Sequence, residues 1–256
     1  MTIPVWSELG AWRIAALAAL FVWSGFVRSG LGFGGAALTL PMLLLIVDEP
    51  LLFLPAICWH LLVFSSLTVA ARLGNVDWES LARLAALLAV PVAAGLAGLL
   101  NLPGSVLSLF VYAVTLGYGL MYALGRMLAS RSGWTDAALL VLGGYASGVS
   151  LTGAPLIAAV GARRIAAHRL RDTLFVLWMA LVLVKLSTFV AAGVDLQLGL
   201  AAATLPAVAL GHAAGLRVHA RIVGGGRRGF ERLVGAGLVA VSLAGLLAAA
   251  SSAGRA

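Results

Sequence analysis

Only one cysteine, one lysine and nine acidic residues occur among the 256 residues of this chain. The lone Cys58 excludes an intramolecular disulfide. His168, His212 and His219 have no neighbouring ligand set, so neither a metal nor another cofactor is expected. Charged residues make up 10% of the chain, against about a quarter in soluble domains. There is no HExxH, no Ser/His/Asp candidate set, no Walker sequence and no carboxylate in the middle of the apolar runs. Those absences argue against an enzyme and against transport driven by ATP within this chain. Glu8 and a single Arg13 precede the first apolar run with no small-residue cleavage site after it, so a removable signal peptide is not expected.

What is abundant is apolar surface. The sequence is 62% hydrophobic with a mean hydropathy of +1.08, more than a soluble fold could hide. Apolar runs bounded by charge, Pro or Gly give ten segments: 11–27, 34–47, 51–71, 80–100, 104–125, 136–149, 152–162, 172–192, 196–216 and 230–250. The third to fifth and eighth to tenth have the roughly 20 residues that a helix needs to cross a bilayer. The first, second, sixth and seventh are shorter, at 17, 14, 14 and 11 residues. An all-α integral membrane protein is expected, with the lipid bilayer as its solvent.

The order short, short, long, long, long occurs twice, with a period near 118 residues. Gly25 with Gly30 answers Gly143 with Gly148, Gly74-Asn75-Val76-Asp77 answers Gly193-Val194-Asp195, and Pro91 with Gly95 answers Pro206 with Gly211. The single transmembrane unit, residues 1–256, then divides into repeats 1–126 and 134–256. Because five is odd, the second repeat starts on the opposite side of the membrane. Alternating spans place 14 of the 17 basic residues on one side. By the positive-inside rule that side is cytoplasmic, which makes this an inner-membrane protein with an inverted repeat and both termini outside. The net charge of +8 therefore reads as topology rather than nucleic-acid binding.

Each short pair is joined by a glycine-rich connection, Ser29-Gly30-Leu31-Gly32-Phe33-Gly34-Gly35 in one half and Ser147-Gly148-Val149-Ser150-Leu151-Thr152-Gly153-Ala154-Pro155 in the other. The 11-residue seventh segment reaches only about 16 Å. Each pair is expected to be a broken or re-entrant hairpin with its tip near the bilayer centre, half-helix N-termini facing a shared anion site. Close helix packing is the alternative use of these glycines.

Lys185 stands in the middle of the eighth segment, at a cost of about 2.5–3.5 kcal/mol, and should face a cavity, an anion or backbone carbonyls. His60 is mid-span and is either a proton carrier or a hydrogen-bonded structural residue. Arg28 sits at a hairpin tip or, if the first segment crosses fully, at a boundary. Ser65, Ser66, Thr68, Ser187 and Thr188 either line a path or make interhelical hydrogen bonds. The candidate substrate-binding set is Arg28, Ser29, Gly30, Gly32, Gly34, Gly35, His60, Ser150, Thr152, Gly153 and Lys185, for a small anion with protons as a coupling ion. An uncoupled anion channel and a non-transporting scaffold are the alternatives. Oligomeric state is not legible.

The stretch Gly25-Phe26-Val27-Arg28-Ser29-Gly30-Leu31-Gly32-Phe33-Gly34-Gly35 with Leu40-Pro41 resembles the first glycine-rich signature of the sulfite exporter TauE/SafE family. Gly144-Tyr145-Ala146-Ser147-Gly148 with Thr152-Gly153-Ala154-Pro155 resembles the second, and Arg171-Asp172-Thr173-Leu174 its following Arg-x-Thr-Leu. The second signature is usually richer in glycine than Ser150-Leu151-Thr152-Gly153. The resemblance covers nearly the whole chain and implies a permease for sulfur-containing anions: sulfite, sulfoacetate or another organosulfonate.

Overall fold

The computed structural model describes residues 10–31, 35–126, 129–221 and 227–253. Among them the chain forms ten α-helices and no strand: α1 (Ala11–Leu31), α2 (Gly35–Leu44), α3 (Pro50–Val69), α4 (Trp78–Asn101), α5 (Gly104–Ala123), α6 (Gly133–Ser150), α7 (Ala154–Arg164), α8 (Ala167–Ala191), α9 (Leu198–Arg221) and α10 (Arg227–Ala253). A 3-10 turn, Ala70–Asn75, follows α3. The ten helices coincide with the ten apolar segments to within a few residues.

Local chemistry sets the ends. Asp77 caps α4 by accepting from the Ser80 amide at 3.0 Å, and Ser132 with Thr135 forms a capping box on α6. α5 and α8 stop alike: Gly125 and Gly193 take φ of +65° and +67°, and the amides of Arg126 and Val194 reach back to Met121 and Phe189, each at 2.9 Å.

Seven helices, α1, α3, α4, α5, α8, α9 and α10, are long and apolar enough to cross a membrane. One more qualifies than the sequence reading gave, because α1 continues through Arg28 to Leu31 and reaches 21 residues instead of 17. A guanidinium inside the apolar stretch was read as its boundary. Val90, Leu210 and Leu247, at 78%, 69% and 70% exposed, point outward as lipid-facing side chains do in a multi-pass membrane protein. Trp12, Trp78 and Trp134, all exposed, stand in the first turns of α1, α4 and α6, where interfacial tryptophans gather.

Packing is built on helix pairs: α1 with α9, α4 with α6, α3 with α8 and α5 with α10. In the first two, backbones touch. A Cβ on Gly211 would lie 1.8 Å from the Val22 carbonyl oxygen, and one on Gly215 2.5 Å from that of Phe26. Across α4 and α6, a Cβ on Gly95 would lie 2.3 Å from the Tyr145 carbonyl oxygen, and one on Gly148 2.4 Å from that of Val92. Residue numbers rise together along both contacts, so both pairs are parallel.

The short helices fold back. α7 returns along α6: Gly143 abuts Ile157, and Arg163 Nη1 and Arg164 Nε reach Asp136 Oδ2 at 3.0 and 2.9 Å. Its end therefore lies beside the beginning of α6. α2 starts against the last turns of α1, where a Cβ on Gly35 would lie 3.2 Å from the Arg28 Cβ. Gly30 abuts Gly215 with six residues of α9 still to come, and Gly148 abuts Gly95 with six residues of α4 still to come. Both contacts thus lie about 9 Å short of the partner helix's end, past that helix's middle.

Candidate binding site between the hairpins

A partly open cavity lies between the hairpins, lined by Arg28 of α1, Gly35 and Ala36 of α2, Leu61 and Ser65 of α3, Ser147 of α6, Leu151, Ala154 of α7, and Phe175, Trp178, Leu181 and Val182 of α8. Its free volume is about 30 Å³, the room of about two water molecules. The first residues of α2 and α7 both line it. Each contributes the positive end of a helix dipole; in α7 Pro155 has no N–H and the Leu156 amide donates to the Gly153 carbonyl at 3.1 Å.

Arg28 is 4% exposed, and its Nη1 donates to the His60 carbonyl at 3.1 Å. Its guanidinium also sits 5.8 Å from the Phe64 ring centroid. Nη2 is buried with no partner. Two further lining groups share that condition, Ser65 Oγ and Trp178 Nε1. Buried donors in folded proteins are ordinarily satisfied, so three orphans around one cavity mark a place where an acceptor belongs.

The other sequence candidates divide. Gly35 lines the cavity. Gly30 serves the α1/α9 contact. Ser29 Oγ hydrogen-bonds His212 Nδ1, and its carbonyl accepts from Arg171 Nη2 at 3.2 Å. Ser150 and Thr152 hydrogen-bond each other at 2.8 Å, both buried behind the lining. Gly153 packs on Gly143, where a Cβ would lie 1.8 Å from the carbonyl oxygen. Lys185 Nζ donates to the Gly148 carbonyl, the backbone option foreseen for it, beside the cavity rather than in it. His60 Nε2 lies 2.9 Å from the Ala201 carbonyl oxygen and 3.2 Å from Thr204 Oγ1, tying α3 to α9. Gly32 and Gly34 lie outside the described residues.

Ser66 and Thr68 bond carbonyls of their own helix, so of that polar group only Ser65 lines the cavity. Trp178, Phe175 and Leu151 were missed. The signal for the first two was helical spacing, since 175, 178 and 182 lead to Lys185 along one face of α8.

Two sequence landmarks meet outside the cavity. Asn75 Nδ2 donates to Asp172 Oδ2 at 2.6 Å and to the His168 carbonyl at 2.8 Å, while Thr173 Oγ1 accepts from the Asp77 amide at 3.0 Å. The turn after α3 is thereby locked to the start of α8.

Seven apolar spans and two helical hairpins with a cavity between them define a multi-pass membrane protein. The sulfite exporter TauE/SafE family matches residues 17–245, and the chain belongs to that family of membrane transporters. Comparison with curated proteins and with solved structures gave no match.

Proposed function

We propose that the protein is a permease for a small sulfur oxyanion, sulfite foremost, which binds in the cavity between α2 and α7. The carrying observation is that three residues lining one cavity beside two helix N-termini, Arg28, Ser65 and Trp178, each hold a buried polar atom without a partner, Nη2, Oγ and Nε1. One guanidinium and two helix ends of about half a charge each present roughly two positive charges, suited to a mono- or divalent oxyanion. The free volume of about 30 Å³ favours a compact anion over sulfoacetate and requires the hairpins to part as substrate enters. Transport is coupled to an ion gradient, with protons the first candidate. His60, whose buried Nδ1 has no hydrogen-bond partner, is the proposed carrier.

The halves act as an inverted repeat. Exchanging α1–α5 with α6–α10 converts the α1/α9 pair into α6/α4, and leaves α3/α8 and α5/α10 unchanged, which supports alternating access around the cavity. The test is uptake of labelled sulfite, thiosulfate, sulfate and sulfoacetate into proteoliposomes, with and without a pH gradient. Saturable sulfite uptake with counterflow is expected, and Arg28→Gln should lower affinity about 10- to 100-fold, the scale of a lost charge-assisted hydrogen bond. Unchanged uptake in that variant would remove Arg28 from the site. Flux without saturation or counterflow would mean a channel.

A further inference from the structure

Along α8, Arg171, Phe175, Trp178, Val182 and Lys185 follow one another at steps of four, three, four and three residues. That spacing puts them on one stripe of the helix. The middle three line the cavity. The two ends are basic, and each donates to a backbone carbonyl of a broken helix: Arg171 Nη2 to Ser29 at 3.2 Å, and Lys185 Nζ to Gly148. Ser29 is two residues before the end of α1, and Gly148 two residues before the end of α6. The same position of each hairpin is therefore held by opposite ends of one helix, about 21 Å apart.

Carbonyls in a helix's last turn lack intrahelical donors and carry the negative end of its dipole, so a cation is the partner that suits them. In water the cap would be dispensable. Here Lys185 is 2% exposed, and an ammonium withdrawn from its carbonyl would remain desolvated unless water reached it. Uncapping a tip and admitting water beside it are thus the same event. Because α8 also forms one wall of the cavity, a tilt about its middle moves its two ends in opposite directions.

We propose that Arg171 and Lys185 are the paired positioning residues of the transport cycle, each fastening one hairpin to α8, and that their alternate release opens the cavity to opposite faces. Release of Lys185 opens it toward the loops holding Asp48 and Asp195. Release of Arg171 opens it toward the face of Arg72 and Arg163. The inference rests on the permease reading, but its test needs no substrate.

In a Cys58→Ser background, Ala154→Cys reports cavity access to a membrane-impermeant thiol reagent applied to one face at a time. Lys185→Met should raise labelling from the Asp48 face by at least about tenfold, and Arg171→Met from the Arg-rich face, the factor expected on losing a charge-assisted hydrogen bond. Lys185→Arg and Arg171→Lys, which retain a cationic donor, should stay near the wild type. Should a Met variant fail to fold, the corresponding Gln variant is read in the same way. Labelling that rises on one common face, or on neither, overturns the proposal. A flat labelling result with intact Arg28-dependent uptake overturns the gating alone, whereas split labelling without uptake of any sulfur anion overturns the substrate reading alone.

Discussion

At the scale of single residues, Leu151 states the local conflict most clearly. It caps α6 with φ of +59°, in the left-handed region that costs a non-glycine residue about 1–2 kcal/mol. It is nevertheless a leucine, 8% exposed, with its side chain on the cavity. Backbone strain clusters at functional positions, and here a strained leucine occupies the wall of the cavity. Leu151→Ala should therefore widen the cavity and shift uptake from sulfite toward sulfoacetate by about tenfold, one pocket-sized increment of apolar contact. An unchanged ratio of the two uptake rates would show that Leu151 does not set size. The sequence advertised Lys185, because a lone charge in an apolar run is conspicuous. Trp178 is marked only by its helical spacing from Lys185, because a tryptophan in such a run otherwise looks the same whether it faces lipid or a cavity.

At the scale of elements, the glycine spacings were legible but their partners were not. Spacing shows that two helices approach closely without saying which ones. The contacts now separate glycines that bear packing from those that do not. Gly211→Ala and Gly95→Ala must force parallel helices apart and should cost about 1–3 kcal/mol, read as a lower melting temperature in detergent. A Cβ at Gly117 or Gly237 meets nothing within 4 Å, so alanine there should be neutral or stabilise by up to about 1 kcal/mol. Equal effects at all four positions would refute the packing assignment. Asp136 holds the α6–α7 hairpin shut through Arg163 and Arg164 and is itself 2% exposed. Asp136→Asn should cost about 1.5–3 kcal/mol, the scale of hydrogen bonds to a charged group. Asp77, outside the spans, follows a simpler rule: the Ser80 amide and hydroxyl hold its carboxyl below the usual carboxylate range. Its contribution is then present above that range and lost as pH falls through the lowered value, so Asp77→Ala should destabilise at neutral pH and have little effect in strong acid.

At the scale of the whole molecule, charge counting assigns the loops to two faces, because each loop's basic residues act additively on topology. It could not show where the hairpins pack, which depends on contacts such as Gly30 with Gly215 and Gly148 with Gly95 that no one-dimensional count contains. Nor could it show that α8 touches both tips, since Arg171 and Lys185 find their carbonyls in opposite halves of the chain. The assignment of faces is open to direct measurement. Gly74, in the turn after α3, and Gly199, in the first turn of α9, both have open space where a Cβ would stand, so cysteine fits at either without disturbing the fold. Asn75 ties the Gly74 turn to Asp172 at the start of α8, and Gly199 follows the end of that helix, so in space α8 separates the two positions by one crossing of the protein. In intact cells lacking Cys58, Gly199→Cys should react with an impermeant thiol reagent, and Gly74→Cys only after the membrane is opened. The reverse pattern would keep the fold and invert its orientation. Reaction of both from one side would break the single-crossing path of α8, and with it the proposal that this helix links two gates on opposite faces.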